Sequence, residues 1–169
     1  MMNNAKIILE SIQAHRKLRR MAIEVAERNA GTTSLILAGI KENGFFIAKK
    51  IAEYLKEFYK GKIEVVELVI NKRSPLEVSF NTNPSAESFI ILIDDVANSG
   101  RTMLYALQPM LQFLPASVQT LTLVERTHKL FPVSIDYIGM SVSTTQGENI
   151  VVTIQGETIS ATLEQNSKP

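Results

Sequence analysis

Cysteine is absent from this 169-residue chain, and histidine occurs only as His15 and His128. Without thiols there is no disulfide framework, thiolate metal site or cysteine nucleophile, and two imidazoles do not make a structural zinc centre. An excess of one charge is missing too: 18 Lys and Arg against 17 Asp and Glu leave a net charge of +1. Such a chain has little long-range field with which to gather polyanions. No apolar run approaches the ~20 residues that span a bilayer. Asn3, Asn4 and Glu10 interrupt the N-terminal apolar positions, which argues against a secretion signal there. There is also no internal repeat and no low-complexity tract. These absences lead us to expect a cytoplasmic protein with no membrane partner and no protein-built metal cage. At 45% hydrophobic residues, the chain suits one α/β domain over residues 1–169.

The most informative stretch runs from Phe89 to Thr102. Phe89-Ile90-Ile91-Leu92-Ile93 is an apolar run of the kind found in a parallel strand covered on both faces. Two acids, Asp94 and Asp95, follow at the strand's carboxyl end, where open sheets of this class bind ligands. Val96, Ala97, Asn98, Ser99, Gly100 and Thr102 then fall where the chain turns into a helix. Free N–H groups, short hydroxyls and a glycine at a helix start form a phosphate cradle. Carboxylates just before such a cradle suit hydroxyl groups, as on a ribose that carries the phosphate. The competing assignment is strand and helix capping by the same residues.

From Ile91 to Thr102 the sequence resembles the 5-phosphoribosyl-1-pyrophosphate (PRPP) motif of type I phosphoribosyltransferases. The resemblance implies a central, mostly parallel sheet flanked by helices, with a small C-terminal β-rich hood. It also implies that the Gly39 to Gly44 turn, after the buried strand Ser34 to Ala38, meets pyrophosphate through Ile40 and Lys41. Asn71 to Glu87 corresponds to a mobile loop that closes over PRPP, with Lys72 and Arg73 as candidates to cover pyrophosphate. A short hairpin is expected around Leu76 to Phe80.

Apolar residues Ile7, Leu18, Met21, Ala22 and Val25 fall on one helical stripe between about Asn4 and Asn29. His15, Arg16, Lys17, Arg19 and Arg20 occupy the rest of its circumference, as a nucleic-acid footprint or as a solvated face. Further elements are expected as a helix from Phe45 to Phe58, a strand from Lys62 to Ile70, a helix from Met103 to Leu114 and a strand from Gln119 to Val124. Pro109 is a point where that last helix can kink or break. Two more strands are expected, from Asn149 to Ile154 and from Thr158 to Leu163.

Val124-Glu125-Arg126, His128, Pro132 and Asp136-Tyr137-Ile138-Gly139 narrow the resemblance to the bacterial bifunctional pyrimidine operon attenuation proteins and uracil phosphoribosyltransferases. By that likeness Tyr137 and Ile138 belong to a hood, within about 126–163, that packs on a nucleobase. Tyr137 is otherwise a half-buried strand aromatic. Arg126 faces pyrophosphate or pairs with Glu125 or Asp136. Met140 and Ser134 stand where the bifunctional proteins carry basic residues, which puts RNA binding in doubt. Asn98-Ser99 replaces the commoner aromatic-Thr pair.

The implied reaction is Mg²⁺-dependent transfer of the phosphoribosyl group from PRPP to a nucleobase, uracil favoured over a purine, with release of pyrophosphate. Asp94 and Asp95 are the catalytic candidates. Mg²⁺ is held mainly by PRPP and water, with no protein metal ligand required. The resemblance also implies a homodimer or higher homo-oligomer. The alternative is a PRPP- or nucleotide-sensing regulator that binds RNA and has little transferase activity.

Overall fold

The computed structural model describes residues 5–71 and 78–165. Its elements are β1 (Lys6–Leu9), α1 (Ser11–Arg28), β2 (Ser34–Ile40), α2 (Asn43–Leu55), β3 (Lys62–Ile70) and β4 (Val78–Phe80). These are followed by β5 (Phe89–Ala97), α3 (Arg101–Leu111), β6 (Ser117–Arg126), β7 (Tyr137–Val142), β8 (Glu148–Gln155) and β9 (Thr158–Gln165). One sheet has six strands in the order β4-β3-β2-β5-β6-β7. Its β3, β2, β5, β6 and β7 run parallel, and β4 closes one edge antiparallel to β3. A second, antiparallel sheet has the order β1-β9-β8.

Alternation along β5 explains how the layers form. Ile91 and Ile93 face the core beneath α1 and α2, whereas Ile90 and Leu92 join the core beneath α3. Each such side chain, fully withdrawn from water, contributes about 1.5–3 kcal/mol. The α1 stripe Ala14, Leu18, Met21, Ala22 and Val25 is buried as its spacing predicts. Leu9, Ile150, Val152, Ile159 and Ala161 extend the same core into the small sheet.

Two expectations need correction. Lys6–Leu9 is a strand paired with β9, so α1 begins at Ser11 rather than near Asn4. The hood therefore combines an N-terminal strand with the C-terminal hairpin. β7, expected in the hood, instead extends the main sheet beside β6. Pro109 sits near the end of α3, which continues only to Leu111. In the 71–87 segment β4 pairs with β3; Lys72 and Arg73 lie outside the described residues.

Candidate active site

Strand order fixes where the site lies. The chain leaves β2 toward β3 on one side and β5 toward β6 on the other, so the loops after β2 and β5 diverge at a topological switch point. Gly39 and Gly44 let α2 start hard against both strands. A Cβ on Gly44 would lie 2.6 Å from the Ile93 carbonyl oxygen and 3.0 Å from Asp94 Cα. The Lys41–Glu42 peptide in this turn is cis, and Lys41 N–H is held by the Leu68 carbonyl at 2.8 Å.

Two cavities meet at the acidic pair. One, of about 330 Å³, is lined by Lys41, Glu42, Asn43, Val69, Ile70, Asp94 and Asp95. The other, of about 220 Å³, is formed by the continuous segment from Asp94 to Met103. The structure thus brings together Lys41, both acids and the whole phosphate-type turn. Burial pushes the Asp94 carboxyl well above the ordinary carboxylate range, and the neighbouring Asp95 charge pushes it further. Asp94 Oδ1 accepts the Asp95 N–H at 2.9 Å, and Asp95 Oδ1 accepts the Val96 N–H at 2.8 Å.

Gly100 has φ 81°, a conformation that glycine adopts at little cost. It turns the chain into α3, whose first N–H groups have no partner within the helix. The Ser99 carbonyl accepts both Leu130 and Phe131 N–H at 3.0 Å, fixing the loop after β6 beside the cradle. Ser99 Oγ accepts the Arg101 N–H at 3.2 Å and keeps its own proton for a ligand. The Val96 N–H is already used by Asp95 Oδ1, so it has little to offer a phosphate, and the Ala97 methyl is core.

Asn98 lines the cradle cavity, and its side chain is engaged by the hood. Its Nδ2 donates to the Ile150 carbonyl at 3.0 Å, and its Oδ1 accepts the Ile150 N–H at 3.2 Å. The Ile40 side chain is buried beneath α3, so its backbone is what borders the pyrophosphate-type turn. Arg126 closes β6 and lines neither cavity. Its charge helps hold the Glu148 carboxyl below its usual value, after the larger effect of hydrogen bonds from Thr145.

Tyr137 and Ile138 separate, as neighbours on a strand must. Ile138 faces a third cavity of about 620 Å³, shared with Glu125, Lys129, Phe131 and Val133. Tyr137 faces α1 and is fully buried. Its hydroxyl donates to Gln119 at 2.8 Å and accepts from Asn29 at 3.2 Å, while Arg28 lies over its ring. The ring is consumed by the core and cannot pack on a base. Tyr137→Phe is therefore expected to cost about 1 kcal/mol of stability by denaturant titration and to leave base KM unchanged.

Sequence reasoning missed four polar side chains, Asn43, Glu125, Lys129 and Ser141. Asn43 Nδ2 donates to Asp95 Oδ2 at 2.7 Å and to the Val152 carbonyl at 3.0 Å. Glu125 and Lys129 form an ion pair at 2.7 Å in the third cavity, and Ser141 donates to Glu125 at 2.8 Å. The signal for Glu125 was its place at the carboxyl end of β6, the same rule that picked out Asp94. For Asn43 there was no motif.

The basic run on α1 is largely spent within the chain. Lys17 and Arg20 donate to the Gly139 and Ile138 carbonyls of edge strand β7, and Arg19 pairs with Glu57. His15 bonds Tyr54 and the Glu157 carbonyl, leaving Arg16 exposed. Among the described residues no helix is long and apolar enough to cross a membrane.

Residues 4–157 match the family model described as phosphoribosyl transferase domain. Bifunctional protein PyrR of Pediococcus pentosaceus is 34% identical over 163 residues, covering 89% of this chain and 92% of that protein. The Bacillus cereus protein of the same name is 32% identical, covering 91% and 93%. In fold, the chain is similar to a Trypanosoma cruzi hypoxanthine phosphoribosyltransferase, with TM-score 0.74 and 16% identity over 92% of this chain and 95% of that one. A Bacillus anthracis hypoxanthine-guanine phosphoribosyltransferase gives TM-score 0.70 at 14% identity, covering 95% and 99%.

Proposed function

Because the chain belongs to the phosphoribosyl transferase domain family and is a phosphoribosyltransferase, we propose that it transfers the phosphoribosyl group of PRPP to uracil and releases pyrophosphate. The observation that carries this reading is the acidic pair shared by two cavities, one cradle-shaped and one bordered by Lys41. The 5-phosphate occupies the cradle, held by N–H groups of the turn and the hydroxyls of Ser99 and Thr102. Asp94 and Asp95 accept the ribose 2- and 3-hydroxyls. Pyrophosphate lies in the Lys41 cavity, and the base lies against Ile138, near Glu125 and Lys129.

A ring nitrogen of the base forms a bond to C1 as the bond to pyrophosphate breaks, and the ribose ring becomes transiently cationic. A carboxylate on a dry floor is poorly stabilised in the free enzyme and gains most when that cation forms. Asp94 is therefore matched to the transition state more than to the ground state. Two adjacent carboxylates also fit Mg²⁺ that keeps most of its waters, with no cluster of three or more His, Asp or Glu among the described residues to cage it. Asp95 would hold the ion through water, and the bound ion would offset charge on pyrophosphate. The proposal extends to a homodimer in the cytoplasm, as the resemblance implies.

Pyrophosphate release from PRPP and Mg²⁺ with uracil, hypoxanthine, guanine, xanthine, adenine or orotate, each supplied separately, tests the reading. Turnover with uracil above all others is expected. Preference for a purine overturns the pyrimidine assignment. Silence with all six, in protein that still binds PRPP, transfers the site to a nucleotide-sensing regulator. The internal pairing of the α1 cations speaks against RNA as that regulator's partner.

A further inference from the structure

In the hood, β8 pairs only with β9 among the described residues. Its other edge presents unpaired backbone groups, and in an antiparallel strand these belong to alternate residues. Ile150 and Val152 share that parity, and both are buried. Left unmet, each such group costs about 1–3 kcal/mol. Two asparagines meet three of them, both groups of Ile150 and the Val152 carbonyl. Asn98, in the phosphate turn, exchanges two hydrogen bonds with the Ile150 backbone at 3.0 and 3.2 Å. Asn43, after the Lys41 turn, takes the Val152 carbonyl at 3.0 Å and with the same Nδ2 holds Asp95 Oδ2 at 2.7 Å.

We propose that Asn98 and Asn43 are positioning residues that brace the two catalytic loops against one edge of β8, so that the phosphate turn and Asp95 keep a fixed separation. The brace runs Asn98, Ile150, Val152, Asn43, Asp95, with every link a hydrogen bond or one stretch of strand. An amide is the side chain this task requires. It both donates and accepts, as Ile150 demands, whereas a hydroxyl or carboxylate at the same reach cannot reproduce the planar pair. Asn98 therefore acts on chemistry through Asp95, without touching the phosphate. The role deepens the phosphoribosyl-transfer reading and rests on it.

Hydrogen exchange at the Ile150 amide, ribose 5-phosphate binding and steady-state kinetics separate the brace from its alternatives, using the full chain and Asn98→Ala, Asn98→Asp and Asn43→Ala. Asn98→Ala is expected to speed Ile150 exchange at least about tenfold and to lower kcat about ten- to hundredfold, as small misplacements of reacting groups do. Its dissociation constant for ribose 5-phosphate should stay within about twofold of the parent value. Asn98→Asp, which still accepts the Ile150 N–H, should recover part of the protection, and Asn43→Ala should reproduce the kcat loss. A tenfold weaker ribose 5-phosphate affinity in Asn98→Ala with unchanged Ile150 exchange would overturn the proposal, because Asn98 would then be a phosphate ligand. If the parent protein fails to bind ribose 5-phosphate, the transferase reading fails, and Ile150 exchange in Asn98→Ala still decides whether the brace exists.

Discussion

Asp94→Asn should lower turnover by about two to three orders of magnitude and, at neutral pH, make the protein harder to unfold. The two effects share one cause. Asp94 is buried beside Asp95, so its folded carboxyl holds a proton at pH values where the unfolded chain has released it. Through that window the native state binds more protons than the unfolded state, and stability falls as pH rises. The penalty is absent below the unfolded value of ~3.9 and fully present once pH exceeds the raised native value. Asparagine keeps the size and the acceptor for the Asp95 N–H but carries no charge. Asp94→Asn should therefore melt above the parent at pH 8, with the gap closing toward pH 4. Thermal denaturation at the two pH values, with kcat for the accepted base, checks both halves. A variant that is slow yet no more stable at pH 8 would remove burial as the origin of the raised Asp94 value.

The second large effect belongs to the seam where α2 meets the sheet. A Cβ on Gly39 would stand 2.4 Å from Phe45 Cα and 2.6 Å from the Gly44 carbonyl oxygen, both backbone atoms that no side-chain rotation can clear. Gly39→Ala must push the start of α2 away from β2, carrying Lys41 and Asn43 with it. Overpacking of this kind costs about 1–3 kcal/mol, or roughly 2–12 °C in Tm. Turnover measured well below the new Tm should still fall about tenfold or more, because Asn43 no longer meets Asp95. Gly31→Ala is the control, since a Cβ there meets nothing within 4 Å. Equal melting of the two variants would show that α2 does not depend on this close approach.

The buried strands β2 and β5 were legible because they are short apolar runs that end in turn residues, as strands covered on both faces do. The N-terminal strand was not. Ile7 continues the helical apolar stripe of Leu18, Met21, Ala22 and Val25, and the usual cap signal fails because Ser11 Oγ accepts the Ile159 N–H of the hood. At the site, local motif chemistry predicted Asp94, Asp95, Ser99, Gly100 and Thr102 in one cleft, and they share it. The Asn98 side-chain bonds to the hood were not legible, because their partner lies 52 residues away. Of the two readings of Tyr137 the strand aromatic is the one the core position matches, and since adjacent strand residues point to opposite faces, Ile138 takes the cavity side.

The pairing of β1 with β9 sets a clock on synthesis. Lys6 to Leu9 bonds to residues 161–163, so β1 waits for a partner made far downstream of it. At roughly 5–20 residues per second on the ribosome, that wait is about 8–31 seconds. The parallel sheet can assemble in the interval, but the brace that sets Asp95 depends on β8 and its hairpin partner β9. The nascent chain therefore has its core before it has a competent active site, and no ribosome-bound fragment ending before β9 should turn over substrate.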